Sequence, residues 1–207
     1  MTLQLKVCGM RDRENILQVA ALQPDYMGFI FYPLSPRYLG SPADFPKTEL
    51  ESICTVGVFV DEKEVDILRK VKEFGLKAVQ LHGHESPEFC ARIKSYGLKV
   101  LKAVPVADKA DLHPIKAYEA SVDLMVLDTK TSGYGGSGNK FNWNVLDFYT
   151  FDIPFLLSGG IQPGDAGEIH RLNHPKLAGV DINSRFEISK GLKDLTKIKQ
   201  FKADLHA

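Results

Sequence analysis

Cys54-Thr55-Val56-Gly57-Val58-Phe59-Val60, the stretch 61–74, and then Ala78-Val79-Gln80-Leu81-His82 together decide the fold. The outer pieces are short runs of β-branched and apolar residues, the composition of strands. Between them, residues 62–74 carry Val65, Leu68 and Val71 three apart, a helical spacing, and Asp61 stands where an N-cap belongs. Strand, helix and strand joined by such short connections imply parallel pairing through a right-handed crossover.

The same alternation covers the chain in both directions. Strand-like runs fall at 3–8, 26–31, 54–60, 78–82, 99–105, 124–128, 154–158 and 177–181. Helix-like stretches fall at 11–22, 62–74, 86–96, 109–120, 143–149, 163–172 and 194–205, and near 42–52, where Pro42 and Pro46 restrict the backbone. Eight strand-helix units predict an α/β fold, a single-domain (β/α)8 TIM barrel over residues 1–207, close to the lower length limit of about 200 residues for that architecture. An open doubly wound sheet is the competing architecture, but no G-x-G-x-x-G follows the first strand.

Composition narrows the partners. Lys plus Arg and Asp plus Glu are both 26, so the net charge is zero and no basic field exists to attract nucleic acid or an anionic membrane. A small-molecule partner is expected. No basic segment followed by a long apolar one opens the chain, and no run reaches the roughly 18 apolar residues of a membrane span, so a soluble, unprocessed protein is expected. Cys8, Cys54 and Cys90 are odd in number and lack C-x-x-C spacing, which argues against a disulfide framework and a zinc site and makes the cytoplasm the expected compartment. The one long irregular segment, 130–140 with sequence KTSGYGGSGNK, reads as a mobile loop at the active site.

In a parallel barrel the chemistry gathers where the strands end. Lys6 and Cys8 share a face of the first strand, and a cationic neighbour lowers a thiol pKa, so Cys8 is a candidate base. A buried cysteine acting as a small hydrophobe fits the same position. Asp128 closes strand six on the face of Leu124 and Val126, as a pocket acid or as the cap of the following turn. Gln80 and His82 share a face of strand four, where His82 either orients a substrate or satisfies buried polar groups. Ser158-Gly159-Gly160 after strand seven and Asp181-Ile182-Asn183-Ser184 after strand eight bring exposed amides together where barrels bind phosphate, or form two ordinary turns. Arg37 can fork onto a carboxylate or lie solvated.

KVCGM, GFIFYPLSPRY, VGVFV, QLHGHE, LDT with GGSG and FNW, LSGGI-x-P, GVD and GLKD-x-x-KI-x-x-F occur in this order along nearly all of the chain. Together they resemble the phosphoribosylanthranilate isomerase family of tryptophan biosynthesis. The resemblance implies an Amadori rearrangement of N-(5-phosphoribosyl)anthranilate, with Cys8 as general base and Asp128 as general acid. It further implies that Arg37 binds the anthranilate carboxylate, that the Gly159-Gly160 and Asp181 regions form the phosphate site, and that neither metal nor organic cofactor takes part. Among relatives of this kind monomer and homodimer both occur. The chain departs from the family's Asp-x-Ser-Ser-Gly-x-Glu: here Asn183 replaces a serine and Arg185 a glycine. Related phosphosugar barrels, such as the imidazole-pathway isomerase and indole-glycerol-phosphate synthase, share the phosphate end but lack the KVCG start. A catalytically silent phosphosugar-binding protein or a subunit of a larger complex is the reading from another class, and the Cys8 and Asp128 pair speaks against it.

Overall fold

The computed structural model describes residues 2–41, 43–130 and 140–207, so Pro42 and positions 131–139 of the glycine-rich segment lie outside the described residues. Eight strands, β1 (Gln4–Cys8), β2 (Tyr26–Ile30), β3 (Cys54–Phe59), β4 (Ala78–Leu81), β5 (Lys99–Val106), β6 (Leu124–Thr129), β7 (Phe155–Leu157) and β8 (Leu177–Ile182), pair in sequence order and close into a parallel barrel. All eight fall at the positions expected from the sequence, with ends shifted by no more than one residue. The seam between β8 and β1 is set by Gln4↔Gly179 and Lys6↔Asp181.

Strand alternation sorts the side chains into two layers. Tyr26, Val56, Ala78, Leu101, Ala103, Leu124, Val126 and Leu156 fill the barrel interior. Leu5, Val7, Met27, Phe29, Val79 and Leu81 face outward into the larger core under the helices. Among the described residues, five α-helices cover the barrel: α1 (Arg13–Ala20), α2 (Glu64–Phe74), α3 (Pro87–Ser95), α4 (Ala166–Leu172) and α5 (Leu195–Leu205).

The remaining crossovers are 3-10 segments. Lys109–Tyr118 contains Pro114, which lacks an N–H for the α ladder, while an Asp108/Asp111 capping box starts it. Trp143–Phe148 replaces the helix expected at 143–149. Near 42–52 the expected helix is reduced to a turn at Thr48–Leu50. Aromatic packing covers the barrel there: the Phe45 ring lies 4.8 Å from Phe29 and 5.1 Å from Phe74, and Phe31 lies 4.8 Å from Phe74.

Helix α2 corrects the sequence reading in two ways. Lys63, not Asp61, is its N-cap; Asp61 has φ +49 and its carboxylate reaches the loop after β4, where it pairs with His84 at 3.1 Å. The face packed on the core carries Ile67 and Phe74, both buried, and the partly buried Val71, whereas Val65 is 69% exposed. Positions 67, 71 and 74 follow the four-three step of a helix face, and starting the count at Val65 misses it by half a turn.

A short antiparallel hairpin after β8, β9 (Glu187–Ser189) and β10 (Leu192–Lys193), has no counterpart in the expected elements. No helix among the described residues is long and apolar enough to cross a membrane.

Because Phe74 is fully buried against the rings of Phe31 and Phe45, Phe74→Ala is expected to destabilise the fold by roughly 3–5 kcal/mol in urea unfolding, and Val65→Ala by less than about 0.5 kcal/mol. Equal losses for the two variants would show that α2 buries a different face.

Candidate active site

At the C-terminal end of the barrel the strands open into a cavity of about 760 Å³ including its mouth. Cys8, Gln80, His82, Asp128, Ser158, Gly159, Gly160, Asp181, Asn183 and Ser184 line it, with Ile30, Val58 and Ile161 providing apolar wall. The strand ends thus bring together Cys8, His82, Asp128 and the residues after β7 and β8 expected at the site, whereas Arg37 is not part of the lining.

Cys8 is 5% exposed, and its partner position across the sheet is Gly28. A Cβ at residue 28 would sit 2.8 Å from the Cys8 sulfur, so glycine there makes room for the thiol. Lys6, two residues earlier, is entirely buried and donates to Asp181 Oδ2 at 2.8 Å. Burial works against the lysine's charge, but Asp181 and Cys8 hold its pKa above the ordinary value. The Asp181 carboxyl is pushed up by burial in spite of Lys6, and its Oδ1 has no partner among the described residues. Burial also pushes the Cys8 thiol up, outweighing the opposing pull of Lys6 and Lys193. The sequence reading had a cationic neighbour lowering this thiol; Lys6 does act in that direction, and desolvation is the larger effect.

Asp128 faces the cavity from the end of β6. Its Oδ1 accepts the Thr129 amide at 2.8 Å, and its Oδ2 lies 3.5 Å from His82 Nε2. His82 Nδ1 is 2.9 Å from the Gln80 amide nitrogen. The loop that carries His82 is held from outside the barrel. Lys102 donates to the carbonyls of Leu81, Gly83 and Ala103 and to Glu85, while Glu85 accepts the amides of Asp61 and Gly83.

Gly159 and Gly160 have φ of +85 and +64, a conformation that side chains disfavour, and a Cβ on Gly159 would lie 2.9 Å from Asp128 Oδ1. Their conformation turns the chain sharply at the end of β7, beside the acid. Arg185 stands in a short 3-10 turn, Ser184–Phe186, without positive φ, so the arginine is accommodated without backbone strain where the resembling family has glycine.

Arg37 is 6% exposed and forks onto Glu187, Nε to Oε1 at 2.8 Å and Nη2 to Oε2 at 2.7 Å. Glu187 also accepts from Lys193 at 2.8 Å, and Lys193 donates to Asn183 Oδ1 at 2.7 Å. The Arg37 and Asn183 side chains abut Gly9, the residue after Cys8. Burial lowers the Lys193 pKa, whereas Arg37 and Lys193 overcome burial to hold the Glu187 carboxyl below its usual range. Glu187 and Lys193 stand in the motifs quoted from the sequence, but their pairing role is not readable there because the hairpin that buries them has only three and two residues in its strands. The available signal was a charged residue at each end of a run that also contains Ile188 and Leu192.

The model of the N-(5'phosphoribosyl)anthranilate (PRA) isomerase family matches residues 5–203. An N-(5'-phosphoribosyl)anthranilate isomerase of Parabacteroides distasonis is 44% identical over 200 residues, covering 95% of this chain and 90% of the relative. The crystal structure of phosphoribosyl anthranilate isomerase from Thermotoga maritima superposes with a TM-score of 0.85 at 36% identity, covering 98% of each chain. A crystal structure of a phosphoribosyl anthranilate isomerase in complex with reduced 1-(o-carboxyphenylamino)-1-deoxyribulose 5-phosphate gives 0.83 at 32% identity, again over 98% of both chains. With a family model spanning almost its full length and this barrel beneath it, the chain belongs to the phosphoribosylanthranilate isomerase family.

Proposed function

We propose that this chain isomerises N-(5-phosphoribosyl)anthranilate to 1-(o-carboxyphenylamino)-1-deoxyribulose 5-phosphate, with Asp128 as general acid and Cys8 as general base. The observation that carries the reading is that these two side chains face one cavity from the ends of β6 and β1, with the glycine turn after β7 and the end of β8 between them.

The chemistry follows from that arrangement. Asp128 gives a proton to the ring oxygen of the aminoaldose, the C1′–O bond breaks, and the anilino nitrogen lone pair forms a protonated Schiff base. The Cys8 thiolate then removes the C2′ proton, and that electron pair neutralises the nitrogen to give an enolamine. Tautomerisation yields the aminoketose. One proton is donated and one removed, so the reaction balances without a redox step.

Binding groups flank the acid and base. The amides of Gly159 and Gly160, with Asn183 and Ser184, receive the phosphate. The Asn183 Oδ1 is occupied by Lys193, so what this side chain offers an anion is its amide N–H. Asp181 contributes through Lys6 rather than through the phosphate, because a buried carboxylate only accepts hydrogen bonds. Arg37 is assigned to the anthranilate carboxylate, with Glu187 fixing the plane of its guanidinium. A relative described as a dimeric enzyme from Thermotoga maritima supports a homodimer as one assembly state, beside the monomer. A biosynthetic activity of this kind fits the cytoplasm.

Turnover by the purified protein, followed as loss of substrate fluorescence, tests the activity directly, and no conversion would overturn it. Cys8→Ala is expected to lower kcat by about 10² to 10⁴, the scale of one acid-base group, while Cys54→Ala, outside the cavity, leaves kcat nearly unchanged. Full activity of Cys8→Ala removes it as the base. Asp128→Asn is expected to lose most turnover yet retain binding of a product analogue; wild-type turnover would assign the acid elsewhere.

A base must be deprotonated, so kcat/KM rises with pH through the ionisation of Cys8, which burial has displaced upward. Lys193 favours the thiolate, so Lys193→Met is expected to move that ascending limb to higher pH, and Lys193→Arg to hold it near its original position. A limb that stays put in Lys193→Met would show that another group governs it.

A further inference from the structure

We propose that Gln80 is a positioning residue for the isomerisation: its amide holds the His82 ring in the tautomer that presents Nε2–H to the Asp128 carboxylate. The inference rests on Asp128 as the proton donor and concerns what happens once that proton has left.

Gln80 is 1% exposed in the middle of the sheet, paired with Val58 on one side and Leu101 on the other, so its backbone has no freedom to adjust. Its Nε2 lies 2.9 Å from His82 Nδ1, and its Oε1 is buried with no partner among the described residues. An amide nitrogen only donates, so Nδ1 must accept, and the single proton of the neutral ring is left on Nε2. The reversed amide would accept from an Nδ1–H instead, so the two orientations specify opposite tautomers, and the one the structure holds, with the amide nitrogen toward the ring, places the proton on His82 Nε2.

On its other side, His82 Nε2 is 3.5 Å from Asp128 Oδ2. As the carboxyl gives up its proton, negative charge grows on that oxygen, and an N–H aimed at it stabilises the carboxylate. The opposite tautomer would aim a lone pair at the same oxygen. The loop after His82 is pinned by Lys102 and Glu85, so its partner on the ring, rather than backbone movement, selects between these states.

Imidazole ¹⁵N NMR of the labelled protein tests the assignment. The chain has 6 histidines, and the His82 signals are identified by their loss in His82→Phe. The expected wild-type pattern is an unprotonated Nδ1 and a protonated Nε2. Gln80→Glu keeps the size but turns the donor into an acceptor, so it should reverse the pattern to Nδ1–H and lower kcat about tenfold with KM within about twofold. Gln80→Met should give a mixture of tautomers and an intermediate kcat. A wild-type His82 carrying its proton on Nδ1 would overturn the proposal, as would a Gln80→Glu variant that keeps both tautomer and turnover. The reading of Asp128 fails separately: a fully active Asp128→Asn removes the acid while the ring tautomer of the unsubstituted protein stays as measured.

Discussion

Lys6 has no exposed surface, and its ammonium rests 2.8 Å from a carboxylate that is almost as deeply buried, across the seam where β1 meets β8. Taking two charges out of water costs several kcal/mol per ion, and their attraction offsets that cost only when the geometry is good, so such a pair is a poor device for stability alone. It is a good device for placing a charge. Removing either partner would leave the other uncompensated, at a cost of about 3–5 kcal/mol, and the register that brings residue 6 opposite residue 181 is therefore strongly selected. That register in turn sets Cys8 at the mouth, two residues further along the same face. Closure of the barrel and the electrical surroundings of Cys8 are one constraint.

A second buried network performs a different task. Arg37, Glu187, Lys193 and Asn183 come from the loop after β2, from the hairpin and from the end of β8, and they meet against Gly9. In the role proposed for Arg37, a long flexible side chain without the hairpin's carboxylate to fix its plane would lose rotamer freedom on every binding event. Holding it beforehand removes that cost. The two networks account for three cations and two carboxylates around one thiol, and the surplus of positive charge suits a ligand bearing a phosphate and a carboxylate.

How much of this is legible in the sequence depends on the range of the interaction concerned. The strands are legible because alternation and β-branched content are local, and parallel pairing follows from the spacing. Cys8, Asp128, His82 and the glycine turns are legible because a barrel's topology carries every strand end to one face. Phe45 is not, since its ring substitutes for a helix only by meeting Phe29 and Phe74, far away in sequence. Nor is the Cys8 environment: Lys6 is two residues away and visible, but the burial that outweighs it arises from the closed barrel. The Arg37–Glu187 fork joins residues 150 apart, and no periodicity links them.

The burial of Cys8 has one more consequence, for chemical durability. Peroxides and alkylating agents attack the thiolate, and they must reach it. A thiol that is 5% exposed, backed by Gly28 and held protonated by its own desolvation presents little of that species between turnovers. The burial that would make Cys8 a reluctant base in its proposed role thereby shields it from irreversible oxidation, so reliance on sulfur need not bring redox sensitivity.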